Sequence, residues 1–125
     1  MSTLRVNTLQ NTSGVEVYTC KAWVNFNGTG TVAIRAAGNV SSITDNGAGD
    51  YTLNFTTAFA DANYAPTCMT QNQDTNGNRG AGNAQIHDGF SPTASALRIF
   101  SAFGATASSD GAKNDQPIIC VAVFR

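Results

Sequence analysis

The sequence predicts an all-β fold, an antiparallel β-sandwich of jelly-roll-like design, on three observations. Helix signals are nearly absent, because no window keeps apolar residues at i, i+3, i+4 and i+7 with helix formers between them. Thr, Val, Asn and Gly abound while Glu and Lys are almost missing, a bias toward strands and turns. Short runs alternate apolar and polar residues with a period of two, and Gly/Asn-rich turns separate them at regular spacing.

The elements follow in order. Leu4 and Val6 alternate with Arg5 and Asn7, and Val15 and Val17 with Glu16 and Tyr18, so both stretches read as strands or as an edge hairpin. Asn11-Thr12-Ser13-Gly14 interrupts them. Residues 1–20 are therefore expected to be an N-terminal arm or attachment segment, and 21–125 the sandwich. Ala22, Val24 and Phe26 form one strand face, and Asn27-Gly28-Thr29-Gly30 supplies the next turn. Val32 and Ile34 continue, and a weaker strand covers Val40–Ile43. Asp45 to Asp50 is a turn in which the two aspartates are expected to bond local amides. Tyr51, Leu53 and Phe55 then share the face of the cleanest strand.

Ala65–Thr70 reads as a strand in which Pro66, unable to donate to a ladder, points to an edge position or a strand start. Residues 71–84 read as an exposed polar loop, Ala96–Phe103 as a strand, and 105–115 as a second loop. Pro117–Arg125 closes the fold. Its apolar residues lie on both faces, which requires cover on both sides, either inside one sandwich or from a neighbouring subunit.

Composition bounds function. The 125 residues fit one domain with a real core. Hydrophobic residues make up 42% and charged residues only 12%, about half the usual share. The polar surface is thus Asn, Thr, Ser, Gln and Gly, which suits a subunit packed against its own copies or displayed on a particle. A net charge of -1 with scattered basic residues gives no electrostatic case for nucleic acid or an anionic membrane. No apolar run is long enough to cross a bilayer as a helix. MSTLRVNTLQ lacks a signal-peptide core, which implies synthesis in a cytoplasm. Cys20, Cys68 and Cys120 are an odd set without metal-ligand spacing, and are expected to be reduced thiols packed in the core.

No constellation announces a reaction, so no enzyme and no cofactor is expected. His87 neighbours Asp88, but neighbours in a strand point to opposite faces and no nucleophile motif accompanies them. Asp74 to Asn78 imitates a calcium loop, yet Arg79 replaces the sixth-position glycine and Gln85 the twelfth-position glutamate, so no metal is expected. Gly28-Thr29-Gly30 lacks the helix of a phosphate-binding loop. Trp23, Tyr18, Tyr51, Tyr64 and Phe90 could offer flat surfaces to a sugar, although Tyr51 and Phe55 fit a core better. Trp23 lies opposite Val24 and Phe26 in phase and so faces solvent or another subunit.

One stretch carries a resemblance. Lys21 to Ala65, KAWVNFNGTGTVAIRAAGNVSSITDNGAGDYTLNFTTAFADANYA, resembles a module of bacteriophage virion proteins, cyanophage tail-fibre-like proteins in particular. The leader STLRVNTLQNTSG is similar to segments that precede such modules, whereas residues from Pro66 onward match in style alone. The resemblance implies a homotrimeric all-β structural protein of the virion, assembled in the host cytoplasm. Its arm would dock on other virion proteins. The rigid sandwich would display variable loops toward a host-surface glycan. On that reading Asn72, Gln73, Asp74, Asn76, Asn78 and Arg79 are the candidate sugar-binding residues, having the amide, carboxylate and guanidinium groups that bond hydroxyls. Trp23, Ile118, Cys120 and Phe124 are the candidate subunit interface. Tail fibres carry a long shaft, while about twenty residues precede this module. A separate tip or a capsid decoration protein are thus the two expected settings.

Overall fold

A computed structural model of the chain describes residues 1–71, 82–103 and 113–125. Eight strands run among them: β1 (Cys20–Asn27), β2 (Ala33–Gly38), β3 (Val40–Gly47), β4 (Asp50–Phe55), β5 (Ala65–Thr70), β6 (Gly82–Ile86), β7 (Ala96–Phe103) and β8 (Ile119–Phe124). They form two antiparallel four-stranded sheets, ordered β2-β1-β8-β5 and β3-β4-β7-β6. The described residues hold no helix.

The period-two pattern accounts for the packing. From the first sheet Ala22, Val24, Phe26, Ile119, Val121 and Val123 point inward, and from the second Tyr51, Leu53, Phe55, Leu97 and Ile99. All belong to one buried cluster, so the two sheets close face to face as a sandwich. Phe26 meets Tyr51 edge to face across the interior, with ring centroids 5.2 Å apart. Phe55, Phe59 and Tyr64 form a second aromatic group, and the Tyr64 hydroxyl donates to the carbonyls of Thr93 and Ala96.

β8 lies between β1 and β5, so its inner cover comes from its own sandwich. β5 is an edge strand, one of the two placements that Pro66 allowed. β6 was not legible, because residues 71–84 read as loop. It pairs with β7 through a register that sets Gly82 opposite Phe103.

Two expectations need correction. Residues 4–7 and 15–18 are not strands; among residues 1–19 the pairing is one isolated bridge, Gln10 to Glu16. Their alternation is real, but a strand needs a neighbouring ladder to complete its hydrogen bonds, and neither sheet offers one there. The cysteines are free but not all core: Cys20 is exposed, while Cys68 and Cys120 are partly buried. Cys68 packs against the core, and burial pushes its thiol up to about 11. Cys120 alternates with buried Ile119 and Val121, and so faces outward.

Candidate functional site

The largest polar constellation among the described residues lies on the outer face of the second sheet, centred on Asp50. Asp50 opens β4 in phase with Thr52 and Asn54, one residue before buried Tyr51, so its side chain turns away from the core. Arg98 occupies the matching phase of β7 between buried Leu97 and Ile99, and stands diagonally from Asp50 because Thr52 pairs with Arg98 and Asp50 with Phe100. Arg98 donates from Nε to Asp50 Oδ1 at 2.7 Å and from Nη2 to Oδ2 at 3.1 Å, a bidentate geometry. Lys113 Nζ donates to Oδ2 at 2.8 Å. These partners, Arg98 first, hold the Asp50 carboxyl well below the usual carboxylate range against the opposing effect of burial. The same pair raises the Arg98 guanidinium.

His87 completes the group. Its Nε2 lies 3.2 Å from Asp50 Oδ2 and 2.6 Å from Lys113 Nζ, and its Nδ1 lies 3.2 Å from Asp88 Oδ1. The Gly89 amide donates to Nδ1 at 3.1 Å, while Nε2 sits between the Lys113 ammonium, which can only donate, and the Asp50 carboxylate. Phe90 packs edge to face on the imidazole, and the Arg98 guanidinium stacks 3.7 Å from the Phe90 ring centre. The polar groups on His87 among the described residues are two carboxylates, an ammonium and the Gly89 amide, with no hydroxyl or thiol in reach. The arrangement fastens the 87–90 turn and the segment at Lys113 onto the sheet.

A second network continues from it. Asp115 Oδ1 accepts from the Gly49 amide at 2.7 Å and from the Tyr51 hydroxyl at 2.7 Å. Burial, with the Asp115 hydrogen bond, pushes the Tyr51 phenol well above its ordinary range. Ser101 donates from Oγ to the Asn114 carbonyl at 2.6 Å. Gly49 has a φ of +62°, and an added Cβ would collide with Asn114 N and the Ser101 carbonyl, so glycine alone fits this crossing. Segment 113–116 is thereby tied to β4, β7 and the turn after β1, where Gly28 N donates to the Gln116 carbonyl.

Asp50 therefore does not bond a local amide, as the sequence suggested; Arg98 and Lys113 outcompete it as charged donors. Asp45 does act locally, accepting from Gly47 N at 2.9 Å. Among the described residues no group of three or more His, Cys, Asp or Glu could hold a metal ion.

The candidate sugar-binding residues Asn72, Gln73, Asp74, Asn76, Asn78 and Arg79 lie outside the described residues, as does most of loop 105–115. The strand ends that flank these segments are described: Gly82, which follows 72–81, pairs with Phe103, which precedes 104–112. Of the candidate interface residues, Trp23, Cys120 and Phe124 belong to the outer side of the first sheet, where Trp23 is 44% exposed and Phe124 is also exposed. Ile118 precedes β8 and is partly buried. Tyr51 and Tyr64 are core residues, whereas Tyr18 and Phe90 are exposed.

Sequence reasoning missed the cluster of Asp50, His87, Arg98 and Lys113 because its members come from four separate segments. One signal was available: with seven basic residues in the chain, an arginine in the middle of an apolar strand calls for an acid on a neighbouring strand.

No protein-family model matches this chain, and neither the curated proteins nor the solved structures gave a match.

Proposed function

We propose that this protein is a structural subunit of a bacteriophage virion, a tail-fibre or adhesin subunit that assembles as a homotrimer and presents loops to a host-surface glycan. The observation that carries the reading is the resemblance of Lys21 to Ala65 to the phage virion module. That stretch builds a coherent half of the fold, the hairpin β1–β2 in one sheet and β3–β4 in the other. The pairing of Gly82 with Phe103, the strand ends next to 72–81 and 104–112, supports display, since segments anchored at neighbouring ends would address one surface. The Asp50 cluster and the 113–116 network serve as the rigid base beneath them.

A second reading, a capsid decoration protein without a receptor role, is favoured by one feature. Residues 1–19 belong to neither sheet and expose Leu4, Val6 and Leu9, as an arm that docks on another virion protein would.

Cryo-electron microscopy of the intact particle tests both. Density for this chain on tail appendages with loops 72–81 and 104–112 pointing outward is expected for the adhesin, and binding of the purified protein to host cells should follow. Density on the capsid lattice would favour decoration. Absence of the chain from the virion would overturn the proposal.

A further inference from the structure

The two outer sheet faces differ in kind. On the second sheet Asn54 donates to Thr44 and Ser42, Asn46 donates to Thr52, and the Asp50 cluster covers the rest, so this face is hydrogen-bonded and closed. The first sheet does not follow the polar-out rule for a face meeting water. Its register lines up Gly38, Trp23, Ala122 and Thr67 in one row, and Ala36, Asn25, Cys120 and Met69 in the next, with no carboxylate in either. Met69 is 73% exposed. Among the described residues the Arg35 guanidinium reaches onto this face, donating to Asn25 Oδ1 at 3.4 Å, and Trp23 and Met69 stay exposed.

The same chain carries an unused apolar surface of matching form. The Gln10 to Glu16 bridge, with Val17 N donating to the Leu9 carbonyl and Asn11 N to the Val15 carbonyl, folds residues 9–17 into a small hairpin closed at Gly14. In that register Leu9, Val15 and Val17 share one side and Gln10 and Glu16 the other. The three apolar side chains are 46%, 59% and 41% exposed. An isolated two-stranded hairpin is marginal in water and needs a surface beneath its apolar side.

We propose that this hairpin seats on the outer face of the first sheet of a second copy of the chain. The connection dictates the choice of copy. Between Val17 and Cys20, where β1 begins, stand Tyr18 and Thr19 alone. Three Cα steps reach at most ~10 Å. Stacking on a sheet takes about 10 Å of that, which leaves no chain to reverse direction and travel across the sheet's own strands. A neighbour's face carries no such limit. Each copy then gives a hairpin and receives one, a heterologous contact that closes into a ring under cyclic symmetry. The inference deepens the self-association in the proposed function, and it is tested in solution, apart from any particle.

The experiment is sedimentation velocity of the full chain over a range of concentrations, with the emission of Trp23, the single tryptophan, read in parallel. The full chain is expected to associate with a blue shift of that emission. Deletion of residues 2–17, and separately Met69→Lys, should each weaken association tenfold or more while the far-ultraviolet spectrum stays native. The core begins at Ala22, so neither change removes buried packing. Mixed in equal amounts, the two variants should form a 1:1 complex, because one retains the face and the other the hairpin. A full chain that stays monomeric, association that survives the deletion, or two variants that fail to combine would each overturn the proposal. Failure here leaves the virion assignment standing, and absence from the virion leaves this contact standing.

Discussion

Asp50 shows how a single residue is set by its neighbours in space. It sits in a turn-like string of Asp, Asn and Gly, yet its carboxylate is claimed by Arg98 and Lys113. Replacing it by Asn removes the charge that both cations need and is expected to cost roughly 1–3 kcal/mol, the range for losing hydrogen bonds to charged groups, as measured by urea denaturation at pH 7. The pH dependence has a defined sign. The folded carboxyl is held below its unfolded value, so its stabilising effect is complete above about pH 4 and lost as pH falls below that. Between pH 4 and 2 the parent chain should lose stability more steeply than Asp50→Asn; equal slopes would show that the ion pairs contribute nothing to acid lability. Asp45, five residues earlier, does what its local sequence indicates. The difference is that the partners of Asp45 lie within two residues, while those of Asp50 arrive from β7 and from Lys113.

At the scale of elements, β8 carries the clearest division of labour. Ile119, Val121 and Val123 are buried between the sheets, while Cys120 and Ala122 face out. Ile119→Ala should destabilise by about 2–5 kcal/mol, whereas Ala122→Ser should change stability by roughly 0.5 kcal/mol or less, with denaturant midpoints as the measure. Similar costs at both positions would mean that the outer face is packed as tightly as the core within one chain. The strands β1 and β4 were legible because their inward apolar residues recur with a period of two, and β8 because its run is apolar on both faces. The N-terminal alternation was equally regular and formed no strand, since a period of two states which side would be apolar and is silent on whether a partner strand exists. β6 was hidden for the opposite reason: Gly-Asn-Ala-Gln-Ile has little apolar content, and its ladder with β7 supplies the order that its side chains do not.

For the whole molecule, one core cluster spans both sheets, so the sandwich should unfold as a unit. Trp23 reports on the first sheet and Tyr51 on the second. Tryptophan emission and the near-ultraviolet tyrosine signal are expected to change at the same denaturant concentration; separated midpoints would show that the sheets come apart independently. Such cooperativity is what the proposed display role would need. Loops anchored on strand ends keep their spacing only while the ends are held, and here the Asp50 cluster and the Asp115 network hold them.

The sequence by itself determined the all-β class and the inward faces of the principal strands, and narrowed β5 to an edge position or a strand start. Each depends on the residue's own phase or on proline's missing donor, which are local properties. Only the tertiary structure decided that Asp50, His87, Arg98 and Lys113 meet, that Gly49 must be glycine because Asn114 and Ser101 press on it, and that Trp23, Ala122, Cys120 and Met69 come together on the outer side of the first sheet. Those depend on which strands become neighbours and in what register. Pairing is set by the summed burial of the whole core, so no local stretch of residues reveals it.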